Sequence, residues 1–105
     1  MSNQAQVADA ETETDSVIRK DLMIVNKRGL HARASARFVQ LVSLYDATVE
    51  VEKDGTSVGG TSIMGLMMLA ASPGCSIAVT ARGLQAAEMM AALEELVASR
   101  FGEED

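Results

Sequence analysis

Leu22 and Ile24 stand two residues apart, the spacing of one strand face, and predict a strand that ends near Asn26. After the loop Lys27-Arg28-Gly29-Leu30, the period changes. Ala34, Phe38, Leu41, Val42 and Tyr45 recur at helical spacing and predict a helix from about Ala32 to Leu44, with Arg33, Arg37 and Gln40 on its polar side. Val49 and Val51 alternate with Glu50 and Glu52, and Asp54-Gly55 precedes the short run Thr56-Ser57-Val58, which together predict a β-hairpin. Gly59-Gly60 bends the chain before Ser62, a residue suited to cap a helix from Ile63 to about Ala71 that Ser72-Pro73-Gly74 would end. Ile77 and Val79 mark a last strand. From Leu84 to Phe101, Met89, Leu93, Leu96 and Val97 form a final helical stripe closed by Gly102. The order β-α-β-β-α-β-α with few strands predicts an α+β sandwich whose helices cover one sheet face.

Before Val17 no such periodicity exists. Residues 1–16 are polar and acidic and are expected to form a disordered extension, leaving one domain over 17–102 and a short acidic tail at 103–105. Composition then narrows the chemistry. The formal net charge is −6, but seven of the fifteen acidic residues lie in head and tail, so residues 17–102 carry nine basic and eight acidic side chains. Lys27, Arg28, Arg33 and Arg37 surround His31, and no acidic residue occurs between Leu22 and Tyr45. The basic cluster is short and lacks interleaved aromatics, which argues against nucleic acid and for a small anion. His31 is the only histidine and Cys75 the only cysteine, so a four-ligand zinc site and an internal disulfide are both excluded. Cys75 reads as a small apolar residue at a strand start. The longest apolar run, Ile63 to Ala71, is too short to span a bilayer, and the head has neither a basic n-region nor an apolar core. A cytoplasmic protein without metal, cofactor or membrane insertion is expected.

A lone histidine is, without context, more often structural than reactive. His31, however, directly precedes a predicted helix whose first N–H groups, on Ala32, Arg33 and Ala34, lack partners. An anion on the imidazole would meet those donors and the Arg33 guanidinium. No base, orienting partner or metal ligand is evident near His31, so the residue is expected to accept a phosphoryl group and keep it until another protein takes it.

Gly29-Leu30-His31-Ala32-Arg33-Ala34-Ser35 resembles the active-site segment of the histidine-containing phosphocarrier (HPr) family of bacterial phosphotransferase systems. Thr61-Ser62-Ile63-Met64-Gly65-Leu66-Met67-Met68-Leu69 is similar to that family's regulatory-serine segment, and the match covers roughly residues 17–101. The resemblance implies an HPr-like open-faced β-sandwich, a four-stranded antiparallel sheet covered on one face by three helices. It implies phosphorylation of His31 on Nδ1 by enzyme I, with Arg33 stabilising the phosphate, and transfer to an enzyme IIA-type protein of a sugar or nitrogen-related branch. It also implies modification of Ser62 in bacteria that have an HPr kinase/phosphorylase. Ala34 departs from the pattern, since many members carry Pro there.

The helix over 62–71 is apolar all round, although a helix on one sheet face needs a single stripe. Leu66 and Leu69 are expected in the core, and Ala32, Ile63, Met64 and Met67 at a partner interface. A competing function is a non-phosphorylated regulatory module that binds through this Met-rich helix. Arg37 is expected on a solvated helix face in preference to the phosphate field, and the protein is expected to be a monomer.

Overall fold

A computed structural model describes residues 16–103. The predicted disordered head, apart from Ser16, lies outside these residues, as do Glu104 and Asp105. The elements are β1 (Val17–Met23), α1 (Ala32–Val42), β2 (Thr48–Lys53), β3 (Thr56–Gly59), α2 (Ile63–Met68), β4 (Ser76–Arg82) and α3 (Ala86–Ala98), and a 3-10 turn at Arg100–Gly102 completes the order. The four strands form one antiparallel sheet in the order β1-β4-β2-β3. All three helices lie on one of its faces, which is the predicted open-faced arrangement.

The period-two pattern sets the register. Leu22 stands opposite Ile77, Val79 opposite Val51, and Val51 opposite Val58, so each cross-strand row carries its apolar side chains to the helical face. Ile77, Val79, Ala81 and Val51 are fully buried there. The other face is polar: Arg19 donates to Thr80 at 3.3 Å and approaches Glu52 at 3.7 Å. Such exposed pairs add little to stability. The sheet is held by its buried side, where Phe38, Leu66, Met89, Met90, Leu93 and Val97 descend from the helices.

β1 ends at Met23, short of the predicted Asn26, α3 begins at Ala86, two residues after the predicted Leu84, and all three helices end earlier than predicted. α1 ends at Val42, and Leu44 is 77% exposed, because its position falls off the buried stripe of Ala34, Phe38 and Val42. α2 has only six residues and ends well before Ala71: Ala70 turns left-handed at φ +54°, and Ala71 then meets the loop that leads into α1. α3 stops at Ala98, short of Phe101.

Beyond α3 the chain reverses. Arg100, Phe101 and Gly102 adopt φ of +61°, +55° and +77° in succession. Left-handed backbone costs a non-glycine residue about 1–2 kcal/mol. Phe101 is completely buried, and full burial of such a side chain contributes about 1.5–3 kcal/mol, which offsets much of the cost of the two non-glycine residues; the bond from Arg37 to the Phe101 carbonyl adds to it. At Gly102 no side chain is tolerated without displacing Arg37, since a Cβ would lie 2.6 Å from Arg37 Nη1. The reversal sends Glu103 back over the N-terminus of α1.

Candidate functional site

The site starts with the turn between β1 and α1. Asn26 is fully buried; its Nδ2 donates to the Gly29 carbonyl at 2.8 Å, and the Gly29 N–H donates to the Asn26 carbonyl at 3.2 Å. Gly29 is left-handed at φ +66°, and a Cβ there would lie 2.1 Å from the Ala71 carbonyl oxygen. That same oxygen accepts from the Leu30 N–H at 2.9 Å. The loop is thus pinned from both sides. Ser35 adds a bond from its Oγ to the Leu30 carbonyl at 3.2 Å, which fixes the entry into α1.

His31 is the N-cap of α1, with extended backbone at φ −75°, ψ −177°. Its Nδ1 accepts from the Arg33 N–H at 3.3 Å, a long bond that is cheap to give up. The N–H groups of Ala32 and Ala34 lie in the same first turn, where the helix supplies no carbonyl for them. Arg33 is exposed, and its guanidinium makes no hydrogen bond or ion pair among the described residues. The terminus therefore offers backbone donors, an uncommitted cation and a nitrogen lone pair in one place. An anion bonded to Nδ1 would replace the ring as acceptor for the Arg33 N–H.

On the opposite ring edge, Nε2 is hydrogen-bonded to Glu103 Oε2. This corrects two expectations. An orienting partner for His31 does exist, and it is the first residue of the predicted acidic tail, a segment that composition alone gave no reason to place in the domain. The His31 side chain is accordingly only 22% exposed and that of Glu103 15%. Glu103 Oε1 accepts from Asn26 Nδ2 at 3.2 Å, so one buried amide holds both the turn and the carboxylate. The bond from His31 keeps the Glu103 carboxyl below its ordinary value; the Asn26 bond and the Arg28 charge act in the same direction against partial burial. Glu103 is therefore a carboxylate, an acceptor for Nε2–H, and with Nε2 protonated a neutral ring has its lone pair on Nδ1.

Arg37 also departs from expectation. It is half-buried and donates from Nη1 to the Phe101 carbonyl, tying the terminal turn to α1. Lys27 and Arg28 are exposed.

Ser62 caps α2, its Oγ accepting from the Gly65 N–H at 2.9 Å. Leu66 and Leu69 are buried as predicted. Ile63, Met64 and Met67 are 40%, 73% and 42% exposed, and Met68, which the prediction omitted, is 74% exposed. α2 packs against α1, so this apolar patch lies beside the helix that carries His31 and the exposed Ala32. No group of three metal-ligating side chains occurs among the described residues, and no helix there is long and apolar enough to cross a membrane.

Residues 18–99 match the family described as PTS-HPr, the HPr component phosphorylation site of phosphotransferase systems. The chain belongs to the HPr family. It is 46% identical over 87 residues to phosphocarrier protein HPr of Neisseria meningitidis, covering 83% of this chain and 98% of that one. HPr of Cupriavidus necator is 44% identical over 87 residues, with the same coverage. Among solved structures, an HPr from Thermoanaerobacter tengcongensis superposes with a TM-score of 0.79 at 42% identity, covering 84% of this chain and 99% of that one. The protein is thus an HPr-type phosphocarrier of a phosphotransferase system.

Proposed function

We propose that His31 accepts a phosphoryl group on Nδ1 from phospho-enzyme I and delivers it to an enzyme IIA-type protein of a sugar or nitrogen-related branch, in the cytoplasm. The observation that carries this reading is the division of the ring: Nε2 is occupied by Glu103, while Nδ1 sits at the α1 terminus. Attack from Nδ1 releases the Arg33 N–H to a phosphate oxygen, and the Arg33 guanidinium supplies a charge-assisted contact. The exposed patch of Ile63, Met64 and Met67, with Ala32 beside the site, serves as the docking face for both partners.

Ser62 is the proposed regulatory position. It is exposed at the edge of that patch, and a phosphate there would add about two negative charges where an apolar contact has to form.

The deciding experiment is intact-mass analysis after incubation with phosphoenolpyruvate and enzyme I, with ³¹P NMR to assign the ring nitrogen. One phosphoryl group on Nδ1, lost in mild acid and absent in His31→Ala, is the expected result. Equal labelling of His31→Ala would overturn the proposal.

A further inference from the structure

The Glu103 carboxylate lies on the ring edge away from the phosphoryl-accepting nitrogen, so it cannot contact phosphorus itself. Its leverage is on the proton at Nε2. Asn26, buried and bonded to both Gly29 and Glu103, and Arg37, bonded to Phe101, hold that carboxylate in place from two elements. The Asn26 amide orientation is fixed by these contacts, because both of its neighbours are oxygen acceptors and only Nδ2 can serve them. Among the described residues, the other charges shown to act here are cationic: Arg28 on the loop lowers the Glu103 carboxyl, and Arg37 on α1 is bonded to the Phe101 carbonyl two residues before Glu103. Among the described residues, Glu103 is thus the group able to hold the Nε2 proton.

We propose that Glu103 is a positioning residue for phosphoryl transfer, holding the Nε2 proton through both half-reactions so that phospho-His31 stays a high-energy, readily transferred species. The inference rests on phosphorylation of His31 at Nδ1. In the first half-reaction the Nδ1 lone pair forms the P–N bond while the donor leaves with the electron pair of its own bond to phosphorus. No proton moves, and the ring, still carrying Nε2–H, becomes a phosphoimidazolium cation beside the carboxylate. In the second, the acceptor's lone pair forms the new bond to phosphorus and the P–N pair returns to Nδ1. The leaving group is then neutral imidazole. Without the Nε2 proton it would have to leave as an imidazolate anion, a far poorer leaving group.

The test compares the phosphorylated full-length chain with its Glu103→Gln and Glu103→Asp variants, following the Nε2 titration of phospho-His31 by ¹⁵N NMR and its hydrolysis rate across pH 5–9. Gln preserves shape and an acceptor oxygen but removes the charge. Loss of one adjacent opposite charge is expected to move the titration down by about one unit and to slow hydrolysis about tenfold at pH values above the wild-type midpoint. Asp, which keeps the charge, should recover part of the shift. A purely structural role would lower stability without moving the titration. Unchanged titration and hydrolysis profiles in Glu103→Gln would overturn the inference while leaving the phosphocarrier reading intact, whereas failure of the wild-type chain to label at all would overturn that reading first.

Discussion

Arg37 and Phe101 are joined by a hydrogen bond from the guanidinium Nη1 to the backbone carbonyl oxygen, across 64 residues of chain. That bond anchors a turn whose backbone would otherwise be unfavourable, and the turn delivers Glu103 to His31. Arg37→Ala is expected to cost about 1.5–3 kcal/mol, the range for a hydrogen bond to a charged group. Arg33→Ala, by contrast, should leave stability within about 0.5 kcal/mol of wild type, because that exposed guanidinium has no partner among the described residues. Thermal melts of the two variants check this ranking, and equal midpoints would show that the terminal turn holds without Arg37.

The Glu103 carboxyl gives a pH dependence with a definite sign. Its value in the folded protein lies below the ordinary 4.5, chiefly through the bond to His31. Between the two values the unfolded chain binds more protons than the folded one. The associated stability is therefore complete above about 4.5 and is lost as pH falls through the folded value. A ¹³C NMR titration of Glu103 should show the depressed midpoint in wild type and a rise toward the ordinary value in His31→Ala. An equally depressed midpoint in that variant would assign the depression to Asn26 and Arg28 instead.

Gly29→Ala should be among the most damaging single changes in the domain. The position needs φ +66°, and the added Cβ would meet the Ala71 carbonyl oxygen at 2.1 Å. The cost exceeds the ~1 kcal/mol scale of an ordinary glycine substitution, since strain and collision add. Because the same oxygen receives the Leu30 N–H, the loop should move and phosphorylation of His31 should slow along with the loss of stability. Chemical denaturation together with a labelling time course measures both.

At Ser62, stability and docking should separate. Ser62→Ala removes the bond to the Gly65 N–H and should cost about 1 kcal/mol, whereas Ser62→Asp keeps a cap acceptor and should be neutral or slightly stabilising. The Asp carboxylate stands beside Ile63, Met64 and Met67, where an apolar contact would desolvate it without a partner. Calorimetric titration with enzyme I should show weaker binding for Ser62→Asp than for wild type. Equal affinity would remove α2 from the docking face.

Much of the fold is legible in local patterns. Val49 and Val51 alternate with glutamates because one sheet face is open to water, and Ala34, Phe38 and Val42 recur because α1 buries one stripe. The caps at His31 and Ser62 are legible for the same reason: capping is decided within three or four residues. Glu103 is not legible in this way, because its role depends on a contact 72 residues away, and acidic residues at a chain end read as a solvated tail. The signal that would have found it is Phe101-Gly102, a large apolar residue and a glycine just past a helical stripe, which marks a reversal that buries the ring and returns the chain to the domain. Arg37 is misread on the same account, since its partner is a carbonyl that comes within reach only once that reversal has formed. The early end of α2 depends on Ala70 adopting a conformation alanine rarely takes, which no local preference predicts.

The left-handed turn at Arg100–Gly102 also makes the His31–Glu103 pair a reporter of completed folding. His31 emerges early in synthesis and its helix can form locally, yet its ring remains unpartnered until α3 has packed and Phe101 has entered the core. A chain caught before that moment, whether still being translated, cleaved near its end or partly unfolded, presents an imidazole that rotates freely and lacks its carboxylate. On the proposed role of Glu103, full transfer efficiency is thus acquired last, when the terminal turn closes over α1.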